Sequence, residues 1–76
     1  MNAREHSKPL PALLRLPQVK AVTGLSRSAL YARIRSGDFP QSVSLGERAV
    51  GFVASEVEQW VNQRIADRDA RKQAAS

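Results

Sequence analysis

The stretch Thr23-Gly24-Leu25-Ser26-Arg27-Ser28-Ala29-Leu30-Tyr31-Ala32-Arg33-Ile34-Arg35 predicts a tight turn followed by a short helix. Gly24 is expected to end a preceding helix, because glycine enters the left-handed region of backbone conformation without steric cost. Ser26 is a suitable N-cap, since its hydroxyl can accept a hydrogen bond from a free amide of the next turn. The stretch therefore predicts that one helix ends near Gly24 and that a second runs over about residues 26–36.

This second helix has two unlike faces. At about 100° per residue, Leu30 and Ile34 fall on one side, which is expected to face the core. The opposite side is small, hydroxylated and basic, and it carries Ser28, Ala32 and Arg35. Such a face suits a helix in the major groove of DNA, where bulky or acidic side chains would obstruct or repel. On this stretch alone, an ordinary amphipathic helix with a solvated charged face explains the pattern equally well.

The composition favours an anionic partner. The 76 residues include 12 Lys and Arg, mostly Arg, against 7 Asp and Glu, and the net charge is +5. Arginine presents a planar fork of donors that matches phosphate oxygens and guanine edges. A chain of this length allows one small domain. Because it contains no cysteine, it has neither a disulfide framework nor a thiolate zinc site.

The first 12 residues are predicted to be a flexible N-terminal arm, because they carry two prolines, mixed charge and no periodicity. His6 lies in this arm, and with no second histidine and no cysteine it is not expected to have a catalytic or metal-binding role. The apolar run at residues 13–16 is interrupted by Arg15 and followed by Pro17, so it does not form a signal-peptide core. No run is long enough to span a bilayer, and no membrane partner is expected.

The residues before the turn predict a first helix over about residues 17–23. Pro17 suits its first position, where the missing N–H is no loss. Lys20 precedes Gly24 by four residues, and its side chain is expected to extend towards solvent or a phosphate. Ahead of this helix, residues 14–16 are expected to form a brief extended segment that docks against the domain.

A dense run of turn formers follows the second helix and precedes two short strands. Phe39 lies in this run and is expected to fill the core beneath the turn. Residues 41–45 and 48–52 alternate between apolar and polar, as half-buried strands do. The tight connection at Gly46-Glu47 predicts that they pair as an antiparallel hairpin. A two-stranded hairpin is marginal alone, so it is expected to pack on the helices.

A third helix is predicted over about residues 55–67. Ser55 opens it as a capping box, with Glu58 placed to reach back to the cap. Trp60, the largest apolar side chain, is expected to lie in the core, and an anchor for a partner protein is the alternative. Residues 68–76 lose the apolar stripe and are predicted to form a frayed basic C-terminal tail.

The order of elements is extended segment, helix, tight turn, helix, hairpin, helix. The predicted fold is therefore mainly α with a small β-hairpin, a winged helix-turn-helix over residues 13–67. The sequence also resembles the AlpA family of phage and prophage regulators. The resemblance runs from about Leu13 to Ile65 and is carried by Leu14-Arg15-Leu16, Val22-Thr23-Gly24-Leu25-Ser26-Arg27-Ser28, Tyr31, Gly37-Asp38-Phe39-Pro40, Leu45-Gly46, Ala49-Val50-Gly51-Phe52 and Glu56-Val57-Glu58-Gln59-Trp60-Val61.

The resemblance implies a MerR-like winged helix-turn-helix that binds DNA and regulates genes of an integrated element, often integrase or excision functions. Three positions depart from the family pattern. Phe52 stands where the family often has tryptophan, and Ala29 replaces a more usual threonine, which removes a potential DNA contact. Lys20 replaces an apolar residue. The pattern carries over to this chain as the start of a recognition helix at Ser26, Arg27, Ser28 and Tyr31, and as a wing residue at Arg48.

The DNA interpretation gives each polar residue of the second helix a role. The amides at its start, with the hydroxyls of Ser26 and Ser28, are placed to meet a phosphate. Arg27 and Arg35 are the candidates for guanine O6 and N7, or otherwise for phosphate.

Tyr31 can donate its phenol to the DNA backbone or stack on a sugar, and Arg48 at the hairpin tip would enter or clamp the adjacent minor groove. Other roles are open to these residues. Arg27, and more readily Arg33, could pair with an acid of the last helix, Tyr31 could be partly packed, and Arg48 could be a solubilising turn charge. Lys20 is the remaining candidate for a phosphate contact.

Three functions fit the sequence. The leading hypothesis is a sequence-specific transcriptional regulator of a phage or mobile element, cytoplasmic and associated with the nucleoid. The second is an excisionase-type architectural protein that bends DNA beside a recombinase, and the third is a protein-interaction module that uses Trp60. An enzyme is least expected, since no acid–base pair or activated nucleophile is present. The expected partner is double-stranded DNA, with a second copy of the chain or an integrase as further candidates, and neither a cofactor nor a small-molecule ligand is expected.

Overall fold

The computed structural model describes residues 11–75, with side chains as far as residue 72. Most of the predicted arm, including His6, lies outside the described residues, as does Ser76. Three helices and three short strands follow one another as β1 (Leu13–Leu14), α1 (Leu16–Thr23), α2 (Arg27–Ser36), β2 (Val43–Gly46), β3 (Ala49–Val53) and α3 (Ala54–Ala75). The predicted fold class is confirmed: mainly helical, with a small antiparallel sheet and the elements of a winged helix-turn-helix.

The turn between α1 and α2 forms as its sequence predicts. Gly24 adopts the left-handed conformation with φ of 74°, and its N–H donates to the carbonyl of Lys20 at 2.8 Å. Ser26 is the N-cap of α2, since its hydroxyl oxygen accepts from the amide of Ala29 at 3.1 Å. Between them, Thr23 Oγ1 accepts a hydrogen bond from the amide of Leu25. These local bonds fix the angle at which α2 leaves α1.

Gly24→Ala is expected to lower the free energy of unfolding by about 1 kcal/mol, because a Cβ in the left-handed region is unfavourable. A Cβ at this position would meet nothing within 4 Å, so the penalty comes from the backbone alone. Gly24→Asn is the matched control, since asparagine tolerates this conformation better. Urea denaturation followed by circular dichroism measures both variants. Equal stability of Gly24→Ala and the parent would contradict the assigned geometry.

The sheet has the order β1-β3-β2, and both pairings are antiparallel. β2, β3 and the intervening turn at residues 47–48 form the wing, whose strands begin one to two residues later than predicted. The extended segment predicted at residues 14–16 is shorter and earlier, because Arg15 already serves as the N-cap of α1. That segment is β1, in which Leu14 pairs with Phe52 of the central strand. The chain ahead of α1 is thereby tied to the root of the wing.

The core lies between the helices and the central strand. Its members are less than 5% exposed: Val19, Leu30, Phe39, Phe52 and Val57. Phe39 fills the core beneath the turn after α2, as predicted, and meets Phe52 edge to face with ring centroids 6.1 Å apart.

Trp60 packs against this core but is not one of its buried members, so the prediction of a core tryptophan holds only in part. Its ring meets Phe39 edge to face at 5.1 Å. Its Nε1–H donates to the backbone carbonyl of Asp38 at 2.6 Å. An indole usually keeps a partner for its N–H, and this partner lies in an exposed loop. The ring therefore stays at the edge of the core.

The third helix differs from its prediction at both ends. It begins at Ala54, so Ser55 lies inside the first turn and does not cap the helix. It continues to Ala75, well past the predicted end at residue 67, so its final turns lie where a frayed tail was predicted. The continuation has a local cause: residues 66–75 contain neither Gly nor Pro and are rich in helix-favouring residues. Asp67 adds support by accepting from Arg64, three residues earlier, at 3.0 Å.

Candidate nucleic-acid interface

The outer face of α2 is open to solvent along its length. Ser28, Ala32 and Arg35 are all exposed, whereas Leu30 is fully buried and Ile34 packs against the core. This is the two-faced helix that the sequence predicts. Within residues 11–72, no carboxylate pairs with Arg35. Its guanidinium is therefore available to an external acceptor.

The start of α2 offers free donors beside this face. The Ser26 hydroxyl oxygen is occupied by the amide of Ala29, and the Ser26 carbonyl accepts from Leu30. The amides of Arg27 and Ser28 belong to the first turn of the helix, where no intrahelical acceptor exists. These amides, with the Ser28 hydroxyl, can bind an anion at the positive end of the helix.

Arg27 and Tyr31 form a stacked pair, one turn apart on α2. The Arg27 guanidinium lies 5.1 Å from the centroid of the half-buried Tyr31 ring. The sequence left open an ion pair between Arg27 and an acid of the last helix, and no such pair occurs among the described residues. Stacking on a ring restricts the guanidinium while leaving its N–H donors free at the edge.

Arg48 stands in the turn of the wing, where it is exposed and has a φ of 61°. A non-glycine residue in this left-handed region stores roughly 1 kcal/mol of backbone strain. Glu47, its neighbour in the turn, does not pair with it. The chain thus holds a free arginine in a strained turn, which is a feature common at functional sites.

Sequence reasoning did not single out Arg15. This exposed residue lies beside Arg27, Tyr31 and Arg48 in one concave surface, which we call the arginine pocket. Its lining consists of Arg15, Leu16, Pro17, Arg27, Tyr31, Arg48 and Val50. The only local signal was a charge placed inside an otherwise apolar run. Its proximity to Arg27 and Arg48 depends on contacts between distant parts of the sequence.

Lys20 lies elsewhere. It is exposed on α1, and it is not among the residues of the arginine pocket. The structure therefore groups Arg27, Tyr31 and Arg48 of the predicted residues, and leaves Lys20 apart from them.

Two other arginines, Arg33 and Arg64, form ion pairs beside Trp60, and neither lines the arginine pocket. Arg33 pairs with Asp38 at 2.6 Å, in the loop after α2 and not in the last helix. Arg64 reaches the same Asp38 at 3.7 Å and also Asp67 at 3.0 Å. The guanidiniums of Arg33 and Arg64 lie 5.7 and 5.0 Å from the Trp60 ring centroid. These arginines have structural partners, in contrast to those of the pocket.

Residues 11–75 contain no group of three or more His, Cys, Asp or Glu side chains arranged to hold a metal ion. No helix in the same range has both the length and the apolar character needed to cross a membrane.

Residues 12–65 match the sequence pattern of the family described as Prophage CP4-57 regulatory protein (AlpA). A protein of Enterobacteria phage P4, "Uncharacterized protein ORF88", is 48% identical over 65 residues, which cover 79% of this chain and 74% of the phage protein. The DNA-binding transcriptional activator AlpA of Escherichia coli (strain K12) is 33% identical over 58 residues, which cover 68% of this chain and 83% of the activator. The matched region includes the turn, α2, the wing and the first half of α3.

Proposed function

Because the chain belongs to the AlpA family of prophage regulatory proteins, we propose that it is a sequence-specific DNA-binding transcriptional regulator of a phage or integrated mobile element. The observation that carries this proposal is the set of exposed arginines on α2 and the wing that pair with no carboxylate among residues 11–72, of which Arg27 and Arg48 line one surface. A similar protein of Escherichia coli is named a DNA-binding transcriptional activator, which supports DNA binding and transcriptional regulation as the proposed function.

In the proposed complex, α2 lies in the major groove and the wing contacts the adjacent minor groove. Ser28, Ala32 and Arg35 face the base edges, because they form the exposed side of the helix. Arg35 is the residue proposed to read guanine, since its fork can bind O6 and N7 together. Arg48 is proposed to clamp the DNA without reading sequence.

The remaining contacts position the protein on the duplex. The free amides of Arg27 and Ser28, the Ser28 hydroxyl and the O–H of Ser26, whose oxygen accepts from Ala29, can donate to a phosphate oxygen. Lys20 is proposed to add a peripheral phosphate contact from α1, where its ammonium acts as a flexible point charge. These contacts contribute affinity but no sequence preference.

The proposed activity is binding and not catalysis. A single winged domain buries a modest area on DNA, so we propose that two copies or a cooperative array occupy a natural operator. The proposed site of action is the bacterial cytoplasm, on DNA of the nucleoid.

The proposed function is tested by selecting bound sites from a random DNA pool and then titrating the best duplex at several salt concentrations. We expect an enriched sequence, and a slope of log affinity against log salt of about −4 to −5, since roughly four to six phosphates should be neutralised. Binding that does not depend on salt would contradict the proposal. Failure to bind any duplex at low salt would favour a protein-interaction module instead. Strong bending of DNA without an enriched sequence would favour the architectural alternative.

A further inference from the structure

The arginine pocket has an unusual charge distribution. Its three guanidiniums come from three different elements: Arg15 immediately before α1, Arg27 at the start of α2, and Arg48 in the turn of the wing. None of them pairs with a carboxylate among residues 11–72. Like charges that share one concave surface repel one another. An anion bound in the pocket would attract all three guanidiniums and so offset their mutual repulsion.

The rest of the lining suits such an anion. Leu16, Pro17 and Val50 contribute apolar surface to a concavity of about 360 Å³. Apolar walls lower the local dielectric and strengthen the attraction between guanidinium and anion. The Tyr31 hydroxyl adds a neutral donor. Every polar side chain of the lining can therefore donate a hydrogen bond, and the lining contains no side-chain carboxylate that would repel a negative ligand.

Two of the three arginines are restrained, Arg15 at its backbone and Arg27 at its guanidinium. The backbone of Arg15 is fixed at the start of α1, since its N–H donates to Gln18 Oε1 at 2.8 Å and its carbonyl accepts from the amides of Gln18 and Val19. The guanidinium of Arg27 is restrained on the Tyr31 ring. Restraint before binding reduces the entropy lost when a ligand is captured.

The position of the pocket relative to α2 and the wing bears on which anion it would bind. The pocket lies where the start of α2 meets the root and turn of the wing. If α2 occupies a major groove and the wing the adjacent minor groove, the strand that separates the two grooves passes between these elements. We propose that the arginine pocket binds one phosphate of that strand and that Arg15 is part of this phosphate site. This inference rests on the proposed function and assigns Arg27 to phosphate instead of to a base.

The test replaces single linkages of the selected duplex, one at a time, with neutral methylphosphonates and measures the dissociation constant for each. For the parent chain we expect one linkage beside the recognised bases whose neutralisation weakens binding about tenfold, the loss of a charge-assisted contact. Arg15→Gln should bind the unmodified duplex about tenfold more weakly, yet lose much less than the parent on neutralisation of that same linkage. Arg27→Gln and Arg48→Asn should give the same result as Arg15→Gln: weaker binding to the unmodified duplex and a smaller loss of affinity when this linkage is neutralised.

The matched control is Arg71→Gln, which removes an equal charge from an exposed position of α3 outside the pocket. It should retain the full penalty at the critical linkage. Melting followed by circular dichroism confirms that each variant is folded, and each substituted side chain is exposed. Two results would overturn the proposed phosphate site while leaving the proposed function intact. In the first, the parent binds specifically but Arg15→Gln remains as sensitive as the parent to neutralisation of that linkage. In the second, the three arginine variants identify different linkages. A parent chain that binds no duplex would overturn both the pocket and the proposed function.

Discussion

Phe52→Ala is expected to lower the free energy of unfolding by about 3–5 kcal/mol, the range for removing a buried aromatic ring. Phe52 is 0% exposed, lies in the central strand and packs edge to face on Phe39. Domains below about 80 residues rarely gain more than about 3–5 kcal/mol from a single core. The variant should therefore be close to half unfolded or worse at room temperature.

Chemical denaturation followed by circular dichroism gives this result directly. Val22→Ala is the matched control, because Val22 is 54% exposed and its truncation leaves the core intact. We expect Val22→Ala to change stability by less than about 1 kcal/mol. Similar unfolding of the two variants would mean that Phe52 does not hold the core together.

The second large effect distinguishes a residue that contacts bases from a residue that contacts only the DNA backbone. Arg35→Ala should weaken binding to the selected duplex by about 1–3 kcal/mol and relax the preference at one base pair, because a bidentate base contact is lost from a rigid helix. Arg48→Asn should weaken binding to selected and scrambled duplexes by the same factor, since a phosphate contact carries no sequence information. Asparagine is chosen at position 48 because the backbone there has a φ of 61°, which asparagine tolerates.

Binding titrations of both variants on both duplexes make the comparison, with Arg71→Gln as a charge control. The opposite pattern would reverse the assignment: a changed base preference in Arg48→Asn, with Arg35→Ala weakened evenly on both duplexes. In that case the wing, and not α2, would be the element that reads sequence.

Local chemistry made the centre of the fold predictable. Gly24 and Ser26 act through bonds to residues three or four positions away, so a short stretch of sequence contains all the information. The two faces of α2 follow in the same way from helical periodicity. The end of α3 was not predictable from periodicity, because an apolar stripe reports packing against the core and not helix propensity. Residues 66–75 remain helical without such a stripe.

The missed features depend on contacts between distant residues. Trp60 lies at the edge of the core because its indole N–H binds the carbonyl of Asp38, 22 residues earlier. Arg15 joins Arg27 and Arg48 only because β1 pairs with the central strand. The spacing of residues along the sequence predicts neither contact, so the grouping of the three arginines follows only from the three-dimensional structure.

The central claim is that this chain recognises a particular DNA sequence through α2. It is tested most directly by the ratio of its dissociation constants for the selected duplex and for a scrambled duplex of equal length, measured at one physiological salt concentration. We predict that the selected duplex binds about 5- to 150-fold more tightly, since the one bidentate base contact proposed, that of Arg35, is worth roughly 1–3 kcal/mol. Equal affinity for both duplexes would contradict the claim, because phosphate contacts alone would then account for all binding.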